Sequence, residues 1–226
     1  MSTETAPARA SALAVVARDG QRSLEVLLLR RNENIAFHGG AWVFPGGRVD
    51  AADGELAAVS ELEIAKRAAV RETYEETGLS VRAEDMLPFA HWTTPVDLPK
   101  RFATWFFACI AGERGTVRID NSEIVDYRWL TPGAALDLHA AGELDLPAPT
   151  YVTLLGFKAC ANTGELAASL REAAVQHFVP RLVPIAEGRC TLYREDAGYE
   201  TFDFDAPGPR HRLIMKGRDW EYVRTF

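Results

Sequence analysis

The chain has 226 residues, 47% of them hydrophobic and 25% charged, with a net charge of −7. This is the composition of one globular domain, or of one domain with an appendage. The negative balance leaves no basic footprint for nucleic acid, and no apolar run of about 18 residues offers a membrane span. An acidic protein that handles phosphates needs metal ions or local arginines to offset the repulsion. The opening "MSTETAPARASALAVV" reads as neither a secretion signal nor a span. Cys109, Cys160 and Cys190 form no CxxC pair, so neither a disulfide framework nor a zinc site is expected, and a reducing, cytoplasmic setting is.

Residues 1–10, rich in Ala, Ser, Thr and Pro, are expected to be disordered. "SALAVVAR" and "SLEVLLLRR" read as two strands joined at Asp19-Gly20. "AWVFPGG" is a short apolar run stopped by Pro45, Gly46 and Gly47. "SELE" is a capping box: Ser60 accepts from first-turn amides and Glu63 reaches back to the Ser60 amide. The helix it opens runs to Thr77, with Gly78 as its stop. "LPFAHWTTP", "RFATWFFACI" and "IVDYRWL" are strands, the second apolar enough to be buried. Thr131-Pro132 opens a helix that Gly142 closes. Two further helices follow in "APTYVTLLGFKACANTG" and "TGELAASLREAAVQHF", the latter with Leu166, Leu170, Ala174 and Phe178 as a core stripe. "RCTLYRED", "YETFDF", "HRLIMK" and "WEYVRTF" read as short strands and turns. No internal repeat or linker divides the chain, and the mix is α+β.

Within the first long helix, "AKRAAVRETYEETGLSV", Glu72, Glu75 and Glu76 fall on an arc of about 100° at roughly 100° per residue. Like charges so spaced repel. The plain reading is a solvated acidic face. The alternative is a cation site, because carboxylate oxygens suit Mg²⁺ and Mn²⁺. Leu62, Ala65, Ala69 and Thr73 give the helix a packing side, and the preceding Pro-Gly-Gly turn lets backbone approach a ligand.

The same residues resemble the Nudix signature, G-x5-E-x7-R-E-U-x-E-E-x-G-U, where U is bulky and apolar. Glu63, Arg71, Glu72, Glu75, Glu76, Gly78 and Leu79 match, and only Thr73 departs after Glu63. Upstream, "RVDAADGELAAVSEL" separates Gly47 from Glu63 where the family has five residues. Glu63 therefore either keeps the family's role across an insertion or serves only as a capping partner; Asp53 and Glu55 are its rivals. "LLLRRNENIAFHGGAWVFPGG" has the spacing of the coenzyme A signature, LLxxR-S/A-x3-R-x3-G-x3-FPGG. Leu27, Leu28, Arg31, Gly40 and Phe44–Gly47 match, but Asn32 and Ala36 do not, and Ala36 replaces an arginine. With "TTPVDLPKRFATWFFACI" and "EIVDYRWLTPGAAL", the chain is similar to the Nudix subgroup related to peroxisomal coenzyme A diphosphatases.

The resemblance implies a mixed sheet sandwiched between helices over residues 11–180, with an insertion at 48–59 and a β-rich extension at 181–226 packed on the same domain. It implies Mg²⁺ or Mn²⁺ held by Glu72, Glu75 and Glu76, with Glu63 and the Gly47 carbonyl as further ligands. Arg71 fixes a carboxylate, and Glu72 or a second acid is the base. Glu123 is the candidate for that acid, with Glu113 its rival. Arg31, Arg48 and Arg101, and less so Lys100, are candidates for the substrate's phosphates. Trp42, Trp105 and Phe106 could stack on a base but fit a core better, and His38 and His91 read as structural. The implied substrate is a small nucleoside diphosphate derivative, coenzyme A or acyl-coenzyme A. ADP-ribose, a nucleotide sugar or a dinucleotide is the alternative, and a non-catalytic nucleotide sensor is the second. No nucleic-acid or membrane partner is expected. A homodimer is left open.

Overall fold

The computed structural model describes residues 7–35, 38–55, 58–96, 98–111 and 115–226. In chain order the elements are β1 (Arg9–Asp19), β2 (Leu24–Arg31), β3 (Trp42–Val43), β4 (Gly46–Arg48), α1 (Glu61–Thr77), β5 (Leu87–Thr93), β6 (Phe102–Ile110), β7 (Ile124–Leu130), α2 (Pro132–Ala140), α3 (Ala148–Phe157), α4 (Thr163–Glu172), β8 (Gln176–Phe178), β9 (Arg181–Ile185), β10 (Gly188–Leu192), β11 (His211–Lys216) and β12 (Asp219–Arg224). Strands β1 to β8 form one mixed sheet in the order β3-β2-β1-β6-β5-β8, with β4 added on β1 and β7 on β2. β1 and β6 run parallel, as do β5 and β8.

Two strands that part company make the site possible. β1 and β2 pair only from Ala17↔Val26 to Asp19↔Leu24. Beyond that they splay, and "WVFPGGR" fills the gap, β3 pairing with Leu29–Arg30 of β2 and β4 with Ser11–Leu13 of β1. Phe44 between them is completely buried. The alternation of β1 assigns its side chains to two cores. Ala12, Ala14 and Val16 face α1, packing with Ala65, Ala68 and Ala69. Val15 and Ala17 face the other way, toward α2, α3, α4 and the C-terminal strands, in a core with Leu136, Leu154, Leu166 and Tyr193. Small residues on α1 and β1 let the helix lie close to the sheet.

α1 begins and ends where its caps predict: Ser60 Oγ accepts from the Glu63 amide at 3.2 Å and Gly78 adopts the left-handed conformation. Two expectations are corrected. β1 starts at Arg9, so the last two residues of the stretch expected to be disordered belong to a strand, while residues 1–6 lie outside the described residues. α4 stops at Glu172, since Ala173 is extended, and Phe178 belongs to β8 rather than to a helical stripe. Pairing with β5 and ring stacking on Trp92 at 3.9 Å outweigh the helical spacing there. "YETFDF", expected among the short strands and turns, forms turns, with Tyr199 and Phe204 covering the second sheet. The His91 ring lies 5.6 Å from that of His177, its register partner.

The second sheet, β12-β11-β10-β9, is antiparallel. Asp196 anchors the segment that leads from it into β11, accepting from the Gly198 and His211 amides and from two nitrogens of Arg212 at 2.6 and 2.7 Å. Burial works to raise the Asp196 pKa, but Arg212 and the two amides hold it below the ordinary value. The sign follows: this stabilisation is complete above the unfolded carboxyl pKa of about 3.9 and is lost as pH falls through the lower folded value. Urea midpoints should therefore stay level from neutral pH to about 5 and drop below about 4. Asp196→Asn should lower stability at pH 7 by about 3–5 kcal/mol, because it strands the buried Arg212 charge, and should flatten that acid limb.

Among the described residues no helix is long and apolar enough to cross a membrane.

Candidate active site

The functional side chains stand on α1, on the opposite side of the sheet from the main cleft. They reach it through β4. Gly46 has φ 148°, and a Cβ there would lie 2.3 Å from the Ala12 carbonyl oxygen. A Cβ on Gly47 would lie 2.5 Å from the Glu72 carboxyl carbon. The two glycines thus leave a window in the sheet that the carboxylates of α1 occupy. Glu76 fills it from one side, its Oε2 accepting from the Gly46 amide at 2.8 Å. Burial pushes the Glu76 pKa up to about 8 despite that hydrogen bond. Burial also raises the Glu72 pKa, against the pull of Arg71. Gly47→Ala should displace the Glu72 carboxylate and lower turnover by about 10–100-fold, the range for disturbed ligand positioning. Since the displaced atoms are the end of a flexible side chain, the melting temperature should change little; steady-state kinetics beside a thermal melt checks both.

Arg71 organises the acids. All five of its N–H groups are used. Nε and one Nη donate to the two carboxylate oxygens of Asp53 at 3.0 and 2.9 Å, and the same Nη donates to the Arg48 carbonyl. The other Nη donates to Glu72 at 2.9 Å and Glu75 at 3.2 Å. Asp53 sits on a short 3-10 turn, Ala51–Asp53, and its side chain is 4% exposed. This answers the question about the early acid. Asp53, six residues after Gly47, takes the partner role. Glu63, expected as a metal ligand or a capping partner, does not join the site: it lies nine residues before Glu72, half a turn away around the helix at about 100° per residue. Its amide is capped by Ser60, and among the described residues its carboxylate makes no hydrogen bond. Arg71, expected to be catalytic, is fully engaged in positioning others.

A cleft of about 1180 Å³ opens on the far side of the window. Glu72, Glu76, Gly46, Gly47, Arg31 and Glu123 line one part of it. Glu75 is 55% exposed and paired with Arg71, outside the lining. Glu123 is held by Arg31 at 2.6 Å. Its loop is shaped by Asp120, which accepts from the Ser122, Glu123 and Ile124 amides, and tied to the end of β2 by the Asn32 amide donating to the Glu123 carbonyl. Arg31 lines the cleft, and among the described residues its Nε is buried without a hydrogen-bond partner. Arg48 lines the cleft, whereas Arg101 does not; its Nε donates to the Thr94 carbonyl at 3.3 Å. Arg9 and Arg189 line it and were not singled out from the sequence. Trp42 and Phe106 are core, and the Trp105 indole donates to Glu61. Ala36 and Glu113 lie outside the described residues.

Does this donor set suit a divalent cation? Among the described residues no three acid or imidazole side chains converge into a ready cage. Mg²⁺, however, takes only one or two carboxylates and completes its shell with water and substrate phosphate. Glu76 is a partly buried carboxylate to which, among the described residues, no basic side chain is hydrogen-bonded, and Glu72 stands one turn before it at the same window. The Gly47 carbonyl beside them accepts from Ser11 Oγ at 2.6 Å. These hard oxygen donors fit such an ion, whose charge would favour the ionised form of Glu76.

The family model described as NUDIX domain matches residues 7–148. The chain is 23% identical over 222 residues to acyl-coenzyme A diphosphatase NUDT19 of Xenopus laevis, covering 58% of each. A Caenorhabditis elegans relative whose name places it among the nudix hydrolases is 27% identical over 164 residues, 57% of this chain and 54% of its own. The chain thus spans little more than half the length of these curated relatives. The crystal structure of a NUDIX hydrolase from Alicyclobacillus acidocaldarius shares the fold, with TM-score 0.67 and 24% identity over 76% of this chain and 99% of its own.

Proposed function

This chain belongs to the NUDIX family, and from that membership we propose that it is a divalent-metal-dependent pyrophosphatase. Its proposed substrate is coenzyme A or an acyl-coenzyme A, split into 3′,5′-ADP and (acyl-)phosphopantetheine. The observation that carries the reading is the pair Glu72 and Glu76 set at the Gly46–Gly47 window of a cleft large enough for a nucleotide. The substrate is supported by the "LLLRR…FPGG" spacing and by the name of the Xenopus relative. Ala36 stands where that signature has an arginine, and the missing arginine supports the second reading, a more compact diphosphate such as ADP-ribose. A sensor without activity is disfavoured by the intact carboxylates.

Glu72 and Glu76, with the Gly47 carbonyl, would hold Mg²⁺ or Mn²⁺, as Nudix hydrolases generally use divalent ions. When bound, the ion neutralises the diphosphate and makes a water easier to deprotonate. Arg71 keeps Glu72 in place through Asp53. Arg31, which lines the cleft, offers its guanidinium to a phosphate oxygen, for which it is well shaped. As it does so it releases Glu123, which faces the cleft and accepts the proton of the attacking water. The water oxygen bonds to one phosphorus, the bridging P–O bond breaks, and the second phosphate leaves with the electron pair. Positioning and charge neutralisation supply most of the rate.

Turnover of coenzyme A, ADP-ribose, NADH and diadenosine polyphosphates, each with Mg²⁺, Mn²⁺ or EDTA, tests the reading. Metal-dependent release of 3′,5′-ADP from coenzyme A is expected. Cleavage of ADP-ribose alone would overturn the substrate, and no turnover of any of them by folded protein with either ion would overturn the activity.

A further inference from the structure

We propose that the C-terminal sheet is the specificity wall of this cleft. Its inward face binds the part of the substrate beyond the second phosphate, and selects an extended, largely apolar chain over a compact sugar. The inference rests on the pyrophosphatase reading and assigns the half of the substrate that reading leaves without residues.

The cleft lies between the two sheets. Phe106 and Trp92 of the first sheet line it, and so do Leu182, Arg189, Thr191 and Met215 of the second, with Trp220. The register explains this set. Thr191 pairs with Leu182 on one side, and Arg189 with Met215 on the other, while Met215 pairs in turn with Trp220. Cross-strand partners share a face, so these five side chains project together. The intervening residues, Val183, Cys190, Leu192 and Ile214, point the opposite way into a separate core closed by Tyr199 and Phe204. The small sheet therefore has one face sealed by its own polypeptide and one turned toward the first sheet, where Leu213 and Met215 join the main core and Leu182 and Arg189 edge the cleft.

The chemistry of that face differs from the chemistry at the window. There the groups are carboxylates and guanidinium. Here they are Leu, Met and Trp side chains, with the Thr191 hydroxyl and the Arg189 guanidinium as the polar groups. Leu182 is 37% exposed, a large apolar side chain left open. A sugar's hydroxyls would find few partners on such a wall. An alkyl or pantetheine-like chain would gain roughly fourfold in affinity for each methylene it buries. The volume agrees: about 1180 Å³ exceeds the roughly 300–1,000 Å³ of sites for drug-sized ligands. The family match ends at residue 148, before any strand of this wall begins, so the extension adds selectivity to a reaction centre built without it.

Two variants test the assignment: Thr191→Trp, which fills the cleft between the sheets, and Leu182→Asp, which places a charge on the wall at an exposed site that folding tolerates. The measured quantity is the ratio of kcat/KM for coenzyme A to that for ADP-ribose, with a thermal melt of each variant. Both variants should lower the ratio about tenfold or more, chiefly through KM for coenzyme A. If Thr191→Trp does not fold, Leu182→Asp decides alone. A ratio within about twofold of wild type in folded variants that still cleave coenzyme A would overturn this inference and leave the pyrophosphatase reading intact. Wild-type protein that cleaves ADP-ribose but not coenzyme A would overturn it as well. Wild-type protein that cleaves neither would remove the reading on which it rests.

Discussion

Glu76→Gln is expected to lower kcat by about 10³-fold, since a ligand to the catalytic ion contributes several kcal/mol to the transition state and each 1.36 kcal/mol is tenfold. The metal-free protein should not lose stability. Burial pushes the Glu76 pKa up to about 8, so the group costs stability as pH rises above its unfolded value of about 4.3, increasingly until about 8. Glutamine removes that cost and keeps an acceptor for the Gly46 amide. The decisive contrast is the response to Mn²⁺. An ion that binds only the folded state raises its stability, so wild-type protein should melt higher with Mn²⁺, and the variant should respond weakly or not at all. Full turnover in Glu76→Gln, or an undiminished Mn²⁺ shift, would remove Glu76 from the metal site.

Arg71→Met should be the most damaging single change outside the metal ligands. It leaves Asp53, 4% exposed, without its bidentate partner. Breaking a buried pair on one side costs about 3–5 kcal/mol. It also frees Glu72 and Glu75 to move, which should lower activity by a further 10–100-fold, roughly the loss seen when groups that orient metal ligands are removed. Arg71→Lys should not rescue either property, because one ammonium cannot replace five N–H groups aimed at four acceptor residues. If positioning through Asp53 is the mechanism, Asp53→Asn and Arg71→Met should be non-additive, the double variant being less destabilised than the sum by about 0.5–3 kcal/mol. Urea unfolding of the four proteins measures this. Additive effects would mean that Arg71 acts without Asp53.

Both predictions centre on a motif visible in the primary structure. Ser60, Thr77 and Gly78 mark the ends of α1, and the spacing of Glu72, Glu75 and Glu76 marks its acidic side, because capping and helical periodicity are local properties of a few consecutive residues. β1, β2, β5, β6 and β7 were legible for the same reason. Phe178 was misread because its neighbours along the chain suggest a helix, whereas its neighbours in space, Trp92 and β5, offer stacking and strand pairing that helical propensity does not match.

What the amino-acid order determined by itself, then, is the carboxylate helix, the Pro-Gly-Gly bend before it and the family to which they point. Only the tertiary structure decided that Asp53 and not Glu63 serves Arg71, that Arg31 and Arg48 rather than Arg101 reach the cleft, that Glu75 stays outside it, and that strands beyond residue 180 build its far wall. These are contacts between groups far apart in sequence, such as Arg31 and Glu123. Their energy depends on where the chain closes on itself, and no local spacing encodes that.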